Sequence, residues 1–110
     1  MTKERLISKE YRKLKGLYAD LPENKMKLVE PMIQNASFMK VTLEELQAQI
    51  NTEGYTDDYQ NGREQSGRKA SATLQAYTSL MKQYVATIDR LQKMLPERST
   101  SGKLEQFLNA

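Results

Sequence analysis

The sequence predicts an all-α protein, an elongated helical hairpin or three-helix bundle with a long central loop, built to self-associate. Three observations carry this reading. Three stretches each hold an apolar repeat that steps by three and four residues without a miss, the pattern of a helix with one buried stripe. Prolines and glycines fall mostly at the borders of those stretches. The second stretch is also too long for a small sphere. A helix from Pro22 to Glu53 would measure about 48 Å at about 1.5 Å per residue, against a radius of gyration of about 13 Å for a globule of about 100 residues. Such a helix must pack along another long helix, its own or a neighbour's.

The first helix runs from Thr2 to Leu21, with Ile7, Tyr11, Leu14, Tyr18 and Leu21 as its seam. Gly16 inside it costs about 1 kcal/mol relative to alanine, so the element leans on a partner. The Leu21-Pro22 step ends it, because the proline ring disfavours a helical conformation in the residue before it. Asp20 and Glu23 resemble a capping box for the next helix.

The second helix runs from Pro22 to about Glu53 on a seam of Val29, Met32, Ala36, Met39, Leu43, Leu46 and Ile50, widened by Leu28 and Ile33. Pro31 removes one backbone hydrogen bond and clashes with the carbonyl of Lys27, which predicts a kink or a true start nearer Leu28. Gly54 supplies the C-terminal stop. Residues 54–70 hold three glycines, the turn signals Asn61-Gly62 and Ser66-Gly67, and no apolar periodicity, so they read as a structureless connection. Connections of that length in a compact domain tend to be functional or disordered.

Ser71 can cap the third helix, whose seam is Leu74, Tyr77, Met81, Tyr84, Ile88, Leu91 and Leu95 until Pro96 stops it. A flexible stretch, Arg98-Ser99-Thr100-Ser101-Gly102, then leads to a short amphipathic end. The chain thus divides into a basic N-terminal helix at 1–21, a helical hairpin at 22–95 that forms the oligomerisation core, and a tail at 96–110.

Composition narrows the chemistry. Hydrophobic content of 38% with 28% charged residues is that of an ordinary globular domain. Cysteine and histidine are both absent. Disulfides, thiolate metal sites and cysteine nucleophiles go with the first, and the usual general base near neutral pH and the commonest metal ligand go with the second. Asp57-Asp58 with Glu53 is the one acidic grouping that could suggest a metal or an acid/base pair, and it has neither calcium-loop spacing nor a partnered nucleophile. A non-enzymatic protein with no cofactor, no metal and no small-molecule substrate is expected. No apolar run reaches the roughly 20 residues that span a bilayer, and no signal-peptide pattern follows Met1, so no membrane partner and a cytoplasmic location are expected.

Binding signals are charges and stripes. Lys9, Arg12, Lys13 and Lys15 fall largely away from the Ile7-Leu14-Leu21 seam and make a positive face able to track phosphates, diluted by Glu4 and Glu10. Arg63, Arg68 and Lys69 form a second basic cluster among glycines that let backbone approach a phosphate. Asp57, Asp58 and Glu64 cancel much of that charge, and a solvated connector explains the segment equally. The seam residues Val29, Met32, Met39, Leu43, Leu46, Ile50, Leu74, Tyr77, Met81, Tyr84, Ile88 and Leu91 are the candidate oligomerisation surface. Heptad spacing alone fits an intramolecular bundle as well. Leu104, Phe107 and Leu108 have helical spacing behind a leash, which suits either docking into a partner's groove or a fraying tail.

The run Leu17-Tyr18-Ala19-Asp20-Leu21-Pro22-Glu23-Asn24-Lys25, then Val29-Glu30-Pro31-Met32-Ile33, Ala36-Ser37-Phe38-Met39 and Thr42-Leu43-Glu44-Glu45-Leu46, resembles the small terminase subunits of tailed phages and prophages of Gram-positive bacteria. Tyr59-Gln60-Asn61-Gly62, Gln65-Ser66-Gly67, Ala76-Tyr77, Lys82-Gln83-Tyr84 and Met94-Leu95-Pro96 look like the same family. The resemblance covers most of residues 11–96. It implies a non-catalytic component of the DNA-packaging motor that assembles into a ring, recognises viral double-stranded DNA and regulates the large terminase subunit in the cytoplasm of the bacterial host. Many members carry a helix-turn-helix unit ahead of the oligomerisation core, whereas here one helix precedes it. DNA contact would then fall to Lys9, Arg12, Lys13 and Lys15, with Arg63, Arg68 and Lys69, and the tail would dock on the large subunit. The alternative is a small helical adaptor or regulator that acts through protein contacts only.

Overall fold

The computed structural model describes residues 2–60 and 66–95. Its elements are α1 (Lys3–Gly16), α2 (Glu23–Glu53), β1 (Thr56–Gln60), β2 (Ser66–Ala70) and α3 (Ala72–Lys93). The chain is mostly helical, as its periodicity predicts, with a small β-hairpin added between the two long helices.

α1 begins at Thr2, whose hydroxyl accepts the Arg5 backbone N–H at 3.2 Å and so satisfies one of the unpaired donors of a helix start. The helix stops at Gly16, short of the expected Leu21. There the pattern tightens: the N–H of Leu17 donates to Leu14 O at 3.1 Å and that of Tyr18 to Lys15 O at 2.9 Å. This tighter winding carries Tyr18 into the core while the chain turns toward α2.

α2 starts at Glu23, with Pro22 as its N-cap residue and no side-chain hydrogen bond made by that cap. The helix continues unbroken through Pro31, and a start nearer Leu28 is ruled out. Lys27 and Pro31 are both exposed, so the carbonyl deprived of its partner can be met by water.

The core lies where three helices meet. Val29, Ile33 and Ala36 of α2 pack with Leu14 of α1, Tyr18 just beyond it, Leu91 of α3 and Leu95 after α3. Antiparallel packing is fixed at both ends, since Leu91 and Leu95 meet the start of α2 and the hairpin joins α2's end to α3's beginning. The Tyr18 hydroxyl donates to Leu91 O and ties α1's exit to α3. Burial pushes that hydroxyl's pKa up to about 12, as expected for a phenol shielded from water.

α1 lies antiparallel on α2. Near its end Tyr11 donates to the Glu30 carboxylate at 2.8 Å, and at its start Lys3 Nζ sits 2.7 Å from Glu45 and 4.9 Å from the Phe38 ring centroid. Beyond Glu45, α2 and α3 continue as a two-helix arm. The molecule measures 63 × 28 × 23 Å with a radius of gyration of 18.2 Å, well above the roughly 13 Å of a compact chain this size.

Residues 54–70, expected as a structureless loop, instead carry the hairpin. Gly54 ends α2 with φ 86° and ψ −178°, a region essentially closed to other residues, and donates its N–H to Ile50 O at 2.8 Å. β1 and β2 then pair antiparallel with Asp57 opposite Lys69 and Asp58 opposite Arg68. The Ser71 N–H donates to Tyr55 O at 3.0 Å, while the Ser71 hydroxyl accepts the Leu74 N–H at 2.9 Å and starts α3 as predicted.

Candidate nucleic-acid interface and assembly surface

The four basic residues singled out on α1 divide into two pairs. Lys9 and Arg12 are exposed, and with Arg5 and Ser8 they line a surface depression. Arg5, Lys9 and Arg12 recur at steps of four and three, so they form one row about 10 Å long on the helix's outer side. Among the described residues no carboxylate forms an ion pair with any of the three. Lys13 and Lys15 are half-buried and engaged: Lys13 Nζ lies 3.9 Å from Glu10, and Lys15 Nζ lies 4.0 Å from Glu30 and 5.4 Å from the Tyr11 ring centroid. The Lys15 pKa is raised, first by its hydrogen bond and charge interaction with Tyr11 and then by Glu30. Lys15 therefore helps hold α1 to α2. Arg5 was missed in the sequence, although its place one turn before Lys9 is a legible signal.

The second basic cluster does not join the first. Arg63 lies outside the described residues. β2 places Arg68 and Lys69 at the register positions opposite Asp58 and Asp57. The ribbon follows the end of α2, about 12 Å along the helix beyond Glu45, while Arg5, Lys9 and Arg12 lie along the three-helix half. Among the described residues no group of three or more potential metal-ligating side chains is found.

The seam residues also divide. Val29, Met39, Leu43 and Leu91 are buried within the single chain. Met32, Leu46, Ile50, Leu74, Tyr77, Met81, Tyr84 and Ile88 are half-buried. Leu28 and Val85 stand out at 69% and 58% exposed. At 100° per residue, roughly, Leu28, Met32, Leu46 and Ile50 share the side of α2 opposite the α1-facing Glu30, Gln34, Val41 and Glu45. An incompletely covered apolar stripe therefore runs along the hairpin's free side. The Tyr84 pKa is raised by burial first and by the charges of Glu10 and Glu44 next, which keeps its hydroxyl neutral where α1, α2 and α3 approach.

Sequence periodicity missed Ser37, Val41 and Thr87, which are buried. Ser37 and Thr87 bond to carbonyls one turn back, Ile33 O at 2.8 Å and Gln83 O at 2.9 Å, and so behave as small core residues. Ile33, Ser37 and Val41 step by four and form a second stripe toward α1, readable in hindsight. Leu104, Phe107 and Leu108 lie outside the described residues. Among the described residues no helix is long and apolar enough to cross a membrane. No family model, curated protein or solved structure matches the chain.

Proposed function

We propose that this chain is a small terminase subunit of a tailed phage or prophage, a non-catalytic component that recognises viral double-stranded DNA and regulates the large terminase subunit. The observation that carries the reading is the exposed row of Arg5, Lys9 and Arg12 on α1, which makes no ion pair among the described residues, in a chain whose sequence resembles that family. A row of cations spaced along a helix can follow successive phosphates without reading bases. The half-covered stripe on the α2–α3 arm supports assembly into a ring, since an apolar seam of that length gains from a second copy. The large subunit remains the expected partner of the tail.

Salt dependence of DNA binding tests this assignment. Substituting Arg5, Lys9 and Arg12 together by Gln should weaken binding and lower the slope of log K against log salt by up to about 2.7, at about 0.9 per phosphate neutralised. Lys13→Gln and Lys15→Gln should change the slope far less, because their charges are already paired. An unchanged slope in the triple variant would remove α1 from the DNA interface. A chain that shifts no DNA at low salt yet forms a stable complex with another protein would be an adaptor acting through protein contacts instead.

A further inference from the structure

Ser8 lines two depressions at once. On one side it stands with Arg5, Lys9 and Arg12 of the cationic row, and on the other with Ile7, Tyr11 and Gln34 of α2 in a notch between the two helices. The notch follows from the antiparallel packing of α1 on α2. Tyr11 donates to Glu30, so Ser8, about one turn before Tyr11, falls level with Gln34, about one turn after Glu30. Both side chains are exposed. Ser37, Thr52, Thr78 and Thr87 turn their hydroxyls back to a carbonyl one turn earlier. Among the described residues, by contrast, no hydrogen bond engages the hydroxyl of Ser8 or the amide of Gln34. Each therefore keeps a donor for a ligand.

The acids beside the notch are already answered. Glu30 accepts from Tyr11 and lies 4.0 Å from Lys15, and Glu45 lies 2.7 Å from Lys3. Glu4, exposed one turn before Ser8, bounds the notch toward the start of α1. An anion that follows the cationic row thus meets a neutral, hydrogen-bonding path from Ser8 to α2.

We infer that a DNA backbone strand held at the Arg5, Lys9 and Arg12 row crosses α1 at Ser8 and reaches Gln34, with the Ser8 hydroxyl and the Gln34 amide donating hydrogen bonds to its phosphate oxygens. The cations supply the salt-dependent attraction, and the two neutral donors fix where the strand lies. The strand runs obliquely over α1, from its outer side to the seam with α2. A helix with its side chains is about 10–12 Å across, so the crossing takes the strand past about three phosphates at about 3.4 Å of duplex axis each.

This inference rests on the DNA-binding part of the proposed function and on none of its assembly. Neutral contacts and charged ones leave different marks on a salt titration. The Ser8→Ala/Gln34→Ala chain should bind a duplex of mixed sequence about tenfold more weakly at fixed salt, the loss of two neutral hydrogen bonds. The slope of log K against log salt should stay at its wild-type value, because neither group releases a counterion. Ser8→Thr, which keeps the hydroxyl, should bind as wild type does, whereas Ser8→Asp should lower both affinity and slope. The loss in the double variant should be the same on A·T-rich and G·C-rich duplexes, since the backbone is common to both. Unchanged affinity in the double variant would overturn the path over Ser8 and leave the cationic row standing. A lowered slope in that variant, or a loss confined to one duplex composition, would overturn it as well, the first because the row itself had been disturbed and the second because bases would be the contact. A wild-type chain that binds no duplex at low salt would overturn the proposed function and this path with it.

Discussion

Up to about Glu45 the chain is three helices thick, and beyond it the chain is two helices thick. The same three-and-four repeat runs through both halves of α3, yet Leu91 is 2% exposed while Met81 and Leu74, toward the other end, remain half-buried. The difference lies in the neighbours. A helix buries a full face only when two others flank its stripe, and α1 ends its cover where Lys3 meets Glu45. One half is closed within the chain, and the other presents apolar surface to whatever packs beside it.

The sharpest way to break this contrast is a matched pair of truncations. Ile33→Ala, at a fully buried position, should lower unfolding stability by about 2–5 kcal/mol in a denaturant titration. Met81→Ala should cost about 1 kcal/mol or less by the same measurement, because its side chain is only partly withdrawn from water, but should reduce self-association in native mass spectra. Equal costs at the two positions would show that the arm is as closed as the three-helix half.

Tyr18→Phe comes next. It removes the buried hydroxyl's bond to the Leu91 carbonyl, which keeps the Met94 N–H at 3.0 Å, and should cost about 0.5–1.5 kcal/mol. It should also change the alkaline limb. In the folded chain Tyr18 holds its proton to about pH 12, whereas in the unfolded chain it releases it near the ordinary 10.0. Its contribution is therefore complete below pH 10 and lost as pH climbs toward 12. Unfolding measured between pH 9 and 12 should decline less steeply in the Phe variant, with Tyr84, also raised, accounting for part of what remains.

The smallest effect is expected at the boundary itself. Lys3→Ala removes an exposed ion pair with Glu45 and the contact over Phe38, and should cost about 1 kcal/mol or less by thermal unfolding in low salt. High salt should shrink the difference.

The helices were legible because each obeys one period and ends at a residue with a physical reason to end it. Ser71 and Gly54 act as predicted, while Gly16 stops α1 earlier than Pro22 would require. A single stripe per helix was not enough for α2, which packs on two sides and therefore hides Ser37 and Val41 as well as Val29 and Leu43. The hairpin escaped notice because its strands lack apolar alternation. What could have found it is the mirrored order of acids and bases on either side of position 63, a signal of pairing rather than of burial. Among the α1 lysines and arginines, helical angle separated the basic face from the seam but gave no account of Glu30, which draws in Lys15 from another helix.

Ser71 carries a consequence for how this molecule comes apart. Its amide is the rung that closes the hairpin on Tyr55, and its hydroxyl is the cap that starts α3. One residue thus belongs to two elements, so opening the ribbon and fraying the helix are a single event. Hydrogen exchange at Ser71 and Leu74 should proceed at matched rates, and a one-residue insertion after Ala70 would force the chain to give up one element's anchor to keep the other's.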